Sequence, residues 1–392
     1  MGRSAKNDER GGPYQLPSFS SFVIAGLGVA ALVGVVHASS YIAPTVEFDR
    51  NAPASSSAAF SIHPPLPVLD TGAYDKIMWE LANNGIPYAS STEIMASTTA
   101  KKPIWPHKAA YPLPGALLPF NRIVAYYGNF YSTRMGILGE FDEGTVLAKL
   151  RSQIAEWEVA DPKTPVVPAI EYIAITAQES PVDGTYRARM PHDQIDKATA
   201  MAEKIDGIVI LDLQVGLSTL QQELPLLEKY WKMPQVHLAL DPEFSMKTGD
   251  RPGTVIGSFN AADINYAAGY LAKLVQENNL PPKILIIHRF TQAMVKNYEA
   301  IKPLPEVQMV MVMDGWGSPI RKIGTYQAFI QPEPVQFTGF KIFYKNDMKP
   351  PSRASSPRAN FSNSPRALYL CSTNSLFLFD LETSLNIHIS GI

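Results

Sequence analysis

Short apolar runs of β type alternate with longer helical patterns from Asn121 onward, and this alternation constrains the fold more than any other feature of the chain. The apolar runs are nearly continuous, as in parallel strands that are covered on both faces. The seven runs are Arg122–Tyr127, Val166–Ile175, Gly207–Leu213, Val236–Leu240, Ile284–His288, Val307–Met313 and Phe337–Tyr344. The helical patterns between them are Thr145–Val159, His192–Lys204, Leu220–Trp231, Ala261–Asn278, Thr291–Ile301 and Ser318–Phe329.

Seven β/α repeats in one stretch predict an α/β fold, specifically a (β/α)8 TIM-type barrel that is incomplete at its C-terminal end. The first turn after a strand, Tyr126-Tyr127-Gly128-Asn129-Phe130, lacks the glycine fingerprint of a dinucleotide site, and no P-loop motif occurs. Ser218 and Ser245 lack the glycine context of a serine hydrolase.

Composition narrows the function classes further. Hydrophobic residues make up 46% of the 392 residues and charged residues 18%, so most of the chain can form a folded core. Because 34 Lys and Arg face 36 Asp and Glu, we expect no nucleic-acid partner. A single cysteine, Cys371, excludes an intramolecular disulfide and a cysteine-rich zinc site, and we expect no cofactor and no metal.

The N-terminal segment predicts export. Phe22–Val36 is apolar and uncharged, and as a helix its fifteen residues rise about 22 Å, less than the roughly 30 Å of a bilayer core. Val36-His37-Ala38 fits a signal peptidase site, so residues 1–38 are interpreted as a signal peptide or, alternatively, an uncleaved anchor. Either places the rest of the chain outside the cytoplasm and limits membrane contact to this segment.

Three further regions follow from composition. Residues 39–119 are rich in Pro and Ser and predict a linker with one short helix at Tyr74–Asn83. Residues 120–348 form the barrel domain. Residues 349–392 no longer show the β/α pattern. They are either a native disordered tail with a hairpin-like Leu368–Ile389 or the product of a frameshift. We favour the frameshift because a seven-strand barrel leaves unpaired edges.

Polar residues recur where the predicted strands end, which is where barrels of this type build their sites. An isolated charge in a covered strand is costly unless it is paired or faces a polar cavity. A ring of such residues favours a ligand pocket, with a structural ion-pair network as the alternative. The predicted ligand-binding residues are Tyr127, Glu171, Gln214, His288, Asp314, Trp316 and Lys341.

Asp241-x-Glu243 is the sharpest motif. If the strand continued through it, both carboxylates would face the same side, and two close carboxylates push their pKa values apart. Glycosidic cleavage uses such a pair as acid and base. We predict Glu243 as the general acid, Asp241 as its orienting or charge-stabilising partner, and Asp212 as a third carboxylate from the neighbouring strand. Ligand binding and a turn-capping role for Asp241 remain open.

Six strings carry a resemblance to a known group of proteins: YYGNFYSTRMGILGEF, DGTYRARM, LDLQVG, VHLALDPEF, NYAAGYLAKLV and PPKILIIHRFTQAM. Over about Ile123 to Lys345 the chain resembles uncharacterised bacterial extracytoplasmic proteins and lipoproteins with a glycoside-hydrolase-like (β/α)8 barrel. The resemblance implies an exported barrel and no defined activity. The chain departs from the group because it has no lipidation cysteine near Ala38 and loses the pattern after Asp347.

The sequence therefore predicts a secreted or membrane-tethered barrel that cleaves a cell-envelope or environmental glycan, with a carbohydrate or another small polar ligand as its partner. The alternatives are a non-catalytic carbohydrate-binding or envelope structural protein, and a metal-dependent hydrolase. The sequence does not indicate an oligomeric state.

The frameshift hypothesis has a direct test in the nucleotide sequence around codon 347, translated in all three frames. We expect another frame to encode an amphipathic helix followed by a final apolar strand. Three frames without such a pattern would contradict the frameshift and favour a native tail.

Overall fold

The computed structural model describes residues 66–82, 108–333, 336–343, 345, 347 and 369–372. Seven parallel strands alternate with helices and form a sheet that curls through 273°, so the fold is α/β and TIM-like, and these seven strands by themselves leave it open. The alternation and the parallel sheet confirm the prediction. The seven strands are β1 (Arg122–Gly128), β2 (Val166–Ala177), β4 (Ile208–Leu213), β5 (Val236–Leu240), β7 (Lys283–Arg289), β9 (Val307–Met313) and β10 (Phe337–Ile342).

Sequential neighbours pair throughout this sheet, in the order β1, β2, β4, β5, β7, β9 and β10. A short strand, β11 (Tyr369–Ser372), pairs in parallel with both β10 and β1. It comes from the segment predicted as an aberrant tail, where no eighth strand was expected. The remainder of that tail lies outside the described residues.

Three short strands complete the sheets. An antiparallel strand, β3 (Arg187–Arg189), extends the edge of β2, and β6 (Phe259–Asn260) pairs with β8 (Val295–Lys296) in a separate two-stranded sheet. These segments were too short and too polar to be predicted. The predicted helix Thr291–Ile301 is wrong, because two 3₁₀ turns flank β8 there instead.

Side chains cap the N-terminal amides of several of the seven helices. They are α1 (Thr71–Ala82), α2 (Glu143–Ala160), α3 (His192–Glu203), α4 (Leu220–Glu223), α5 (Glu228–Trp231), α6 (Ala261–Asn278) and α7 (Pro319–Thr325). In α2 the Asp142 carboxylate accepts from the Thr145 amide. In α6 Asn260 and Asp263 form a reciprocal capping box, which explains why its observed start matches the predicted one.

The predicted helix Leu220–Trp231 is divided into α4, a 3₁₀ turn over Leu224–Leu227 and α5. Pro225 lies at the start of this turn, and a proline inside a helix removes one amide donor. Trp231 is nevertheless fully buried, and its indole nitrogen donates to the Leu224 carbonyl at 2.8 Å. The segment therefore still covers the sheet.

Part of the predicted linker packs on the barrel. Tyr74, Met78 and Leu81 of α1 are buried, and so is Leu118. Gln308 at the start of β9 accepts the amides of Leu117 and Leu118 at 3.0 and 3.1 Å.

No helix in the described ranges is long and apolar enough to cross a membrane. The predicted signal or anchor segment, Phe22–Val36, lies outside those ranges.

Gly216 holds the loop after β4 against the turn after β5. Its amide donates to the Phe244 carbonyl and its carbonyl accepts the Met246 amide, both at 2.9 Å. Its φ is +59°, and an added Cβ would contact the carbonyl oxygen of Thr185 and lie 2.7 Å from that of Tyr186. Only glycine fits this position without displacing backbone.

We expect Gly216→Ala to lower the free energy of unfolding by about 2–4 kcal/mol, because the new Cβ meets backbone that cannot move aside. The matched control is Gly269→Ala in α6, where nothing lies within 4 Å of the added Cβ. Alanine should be neutral there or stabilise by about 0.5–1 kcal/mol. Urea denaturation of both variants measures the difference, and equal stabilities would contradict the steric argument.

Candidate active site at the mouth of the curled sheet

His288 and Glu171 meet across the inside of the sheet. His288 lies on β7 and Glu171 on β2, with β4 and β5 between them in the sheet order. Their Nε2 and Oε1 atoms are nevertheless 3.0 Å apart, and both side chains are fully buried. Side chains on strands three places apart can meet only on the concave face, so this pair lies in the interior of the sheet.

Lys341 and Asp314 extend this pair into a network. Asp314 follows β9, and its Oδ2 atom lies 3.4 Å from Nδ1 of His288. Nζ of Lys341, on β10, lies 3.2 Å from Oδ1 of Asp314. The same ammonium lies 3.7 Å from the centre of the Tyr127 ring, a close cation–π contact. Four strands thus contribute to one charged cluster.

A second chain of hydrogen bonds joins two further carboxyls to this cluster. The Tyr127 hydroxyl donates to Oδ2 of Asp212 at 2.9 Å. The Gln214 amide nitrogen lies 3.4 Å from the Tyr127 hydroxyl and 3.3 Å from Oδ2 of Asp241. Asp212 and Asp241 are therefore linked through neutral side chains, with no cation between them.

Asp241 and Glu243 do not share a strand face, and this part of the prediction is wrong. β5 ends at Leu240, and Pro242–Phe244 forms a 3₁₀ turn. Asp241 caps this turn, because its Oδ1 accepts the Glu243 amide at 3.2 Å. Its Oδ2 still points to Gln214, so Asp241 both shapes the turn and faces the cluster. Glu243 lies at the partly exposed rim.

His288 is held as an imidazolium. Burial and the charge of Lys341 oppose its protonation, but Asp314 and the hydrogen bond to Glu171 outweigh them and raise its pKa to about 9. His288 was predicted as a base, a metal ligand or a core histidine. The structure places its ring between Glu171 and Asp314, with Nε2 3.0 Å from the first and Nδ1 3.4 Å from the second.

All three predicted catalytic carboxyls have raised pKa values, and that of Asp241 is the lowest. Burial, with Asp241 and Glu171, raises the pKa of Asp212 to about 8, although His288 and Lys341 oppose the shift. Burial and Asp314 raise the pKa of Asp241 to about 6. Desolvation is the largest cause of the raised pKa of Glu243, which is about 8. The negative charges of Asp241 and Asp314 raise it further. At neutral pH Glu243 and Asp212 are therefore mainly protonated and Asp241 is mainly ionised.

Trp316 differs from the other predicted ligand-binding residues in its exposure. It is 43% exposed at the surface, two residues beyond Asp314. The other predicted residues all belong to the cluster by contact or by electrostatic coupling.

Sequence reasoning missed a buried lysine that supports the site. Nζ of Lys322, on α7, donates to the Lys341 carbonyl at 2.8 Å and to Oδ2 of Asp347 at 2.7 Å. Asp347 in turn accepts the amides of Gly317 and Phe343 at 3.0 and 3.1 Å. These bonds join the segments after β9 and β10. Lys322 gave no signal because its helix pattern is weak.

Among the residues that the structure describes, no group of three or more His, Cys, Asp or Glu side chains is arranged to hold a metal ion. No protein-family model matches the chain, and no curated protein is similar to it in sequence. The parallel α/β half-barrel agrees with the scaffold that the resemblance implied, while the family itself is not identified.

Asp212→Asn tests the electrostatics of the cluster. A carboxyl whose pKa is raised from 3.8 to about 8 by folding stabilises the protein below the unfolded pKa and loses this contribution as pH rises through the folded pKa. Asparagine stays neutral, so the variant should gain stability relative to wild type between pH 5 and 8, by about 1 kcal/mol or more. Urea titrations at several pH values measure this difference.

The control for this prediction is Glu277→Gln, which removes an exposed carboxylate on α6 that is 3.7 Å from Lys273. Its stability difference from wild type should change little over the same pH interval. A pH-independent difference for Asp212→Asn as well would contradict the raised pKa of Asp212.

Proposed function

We propose that this protein is a glycoside-hydrolase-like barrel that acts on a cell-envelope or environmental glycan outside the cytoplasm. The observation that supports the proposal is the pairing of two nearby carboxyls, Glu243 and Asp241, with pKa values of about 8 and 6. One is protonated and the other ionised at neutral pH, which is the division of labour that glycosidic cleavage requires. The resemblance to exported barrel proteins gives the expected location.

In this proposal Glu243 donates its proton to the glycosidic oxygen as the bond to the leaving sugar breaks. Water then supplies the hydroxyl that bonds to the remaining sugar carbon and the proton that restores Glu243. Asp241 carries the negative charge that stabilises the positive charge developing on the sugar ring. Gln214 and the Glu243 amide bind the two oxygens of Asp241 and hold it in place. Asp212 assists through Tyr127 and Gln214. The rate should be greatest between about pH 6 and 8, where both groups have the required state.

The predicted ligand-binding residues divide by position. The network of Glu171, His288, Asp314 and Lys341 forms the floor of the site. Trp316, with its exposed indole, is the expected stacking surface for a sugar ring.

A non-catalytic carbohydrate-binding or envelope structural protein is the second candidate. It is favoured by the mutual neutralisation within the floor, where His288 contacts two carboxylates and Lys341 contacts one of them. Such closed networks also occur as structural features. This candidate predicts glycan binding without cleavage and no loss of binding in Glu243→Gln.

Glu243→Gln is the decisive variant for catalysis. We expect the wild type to hydrolyse at least one member of a glycan panel and the variant to lose about 10²–10⁴-fold in kcat, because glutamine cannot donate the proton. Product analysis by chromatography measures turnover. Glu277→Gln serves as the control for loss of one negative charge. Equal turnover by Glu243→Gln and wild type would remove Glu243 from the mechanism.

A further inference from the structure

The site, which we call the mouth, holds two cationic side chains and the five carboxyls of Glu171, Asp212, Asp241, Glu243 and Asp314. Two of these carboxyls, Glu171 and Asp314, already pair with the cations. His288 lies 3.0 Å from Glu171 and 3.4 Å from Asp314. Lys341 lies 3.2 Å from Asp314 and above the Tyr127 ring. Glu171 and Asp314 therefore have cationic partners, while His288 and Lys341 act on the other three carboxyls only through longer-range Coulomb interactions.

Asp212, Asp241 and Glu243 have no such partner. In the described part of the chain no Lys, Arg or His nitrogen forms an ion pair with any of the three within 4.0 Å. Their hydrogen bonds come from neutral donors: the Tyr127 hydroxyl for Asp212, and the Gln214 amide and the Glu243 backbone for Asp241. Among the described residues, the mouth thus holds three carboxyls without a direct ion pair, although His288 and Lys341 lower their pKa values from a greater distance.

A separate observation concerns buried polar atoms without a hydrogen-bond partner among the described residues. Asp212 Oδ1, His288 Nδ1 and Asp314 Oδ1 are such atoms, and the last two take part in the ion pairs described above. Asp212 is fully buried, and its Oδ1 has no hydrogen-bond partner among the described residues. A buried carboxyl oxygen without a hydrogen-bond partner is costly, and a polar group of a ligand would supply that partner. Within the described part of the chain, Asp212 Oδ1 lacks a hydrogen-bond donor, and the three carboxyls lack a cation in direct contact. One positively charged donor would supply both.

We propose that the mouth binds a primary ammonium group and, resting on the proposed function, that the substrate is a glycan carrying free amino groups instead of N-acylated ones. An ammonium supplies three donors and one positive charge, which suits Asp212 Oδ1 together with Asp241 or Glu243. A neutral N-acetyl group would supply one donor and leave the carboxyls without a cation in direct contact.

The raised pKa values of two carboxyls at the mouth agree with an ammonium site. Without a ligand, burial raises the pKa of Asp212 and Glu243 to about 8, with Asp241, Glu171 and Asp314 adding to the shift and His288 and Lys341 opposing it. The two carboxyls therefore hold protons in place of a cation. A bound ammonium would lower both pKa values, so binding near neutral pH should release protons.

Calorimetry with glucosamine oligomers and N-acetylglucosamine oligomers of equal length tests the proposal on the full-length protein. Titrations in two buffers of different ionisation enthalpy measure proton release. We expect the free-amine oligomers to bind at least about tenfold more tightly, and Asp212→Asn to weaken their binding by about tenfold, the effect of losing one charge-assisted contact. Glu243→Gln, at the rim, gives a second variant, and Glu277→Gln controls for general charge.

Spermidine carries ammonium groups but no sugar, so its binding distinguishes the proposed ammonium site from the proposed glycan function. Equal binding of the two oligomer types would overturn the ammonium proposal and leave the glycan function standing. Binding of spermidine with the same loss in Asp212→Asn, but of neither oligomer, would support the ammonium site and contradict the glycan function. Failure of all three ligands to bind, or equal binding by Asp212→Asn and wild type, would overturn the proposal.

Discussion

His288 lies on the concave face of the sheet with Glu171 at one ring nitrogen and Asp314 at the other. The arrangement requires curvature, because β7 and β2 are three places apart in the sheet. Burying either carboxylate alone would be costly, and burying the imidazolium alone equally so. Each charge is tolerated because the others face it, so this contact links the curl of the sheet to the polarity of its interior.

Desolvation is the largest cause of the raised pKa of all three carboxyls, and their charged and hydrogen-bonding neighbours differ. Asp212 is fully buried, Asp241 keeps contacts with Gln214 and a backbone amide, and Glu243 lies at the rim near the two negative neighbours. Their pKa values of about 8, 6 and 8 follow from these surroundings. The carboxyls with these pKa values also outnumber the cations, His288 and Lys341, that could pair with them. The proposed acid–base chemistry and the proposed affinity for an ammonium therefore rest on one physical origin.

Backbone elements outside the strands hold the rim in place. Gly216 brings the loop after β4 against the turn that carries Glu243, and Asp241 caps that turn. On the opposite side Lys322 and Asp347 tie the segments that follow β9 and β10, next to Lys341. The short strand Tyr369–Ser372 pairs with β10 and β1, the two strands that carry Lys341 and Tyr127.

The sequence alone determined the α/β class, the seven strands and most of the polar residues at their ends, because continuous apolar runs and the charges that interrupt them are local patterns. It failed where the outcome depends on distant partners. The turn at Asp241, the role of Lys322 and the pairing of His288 with Glu171 each require knowledge of which segments become neighbours. Tertiary structure alone decided these contacts and the pKa values, since burial and Coulomb interactions depend on distances in space.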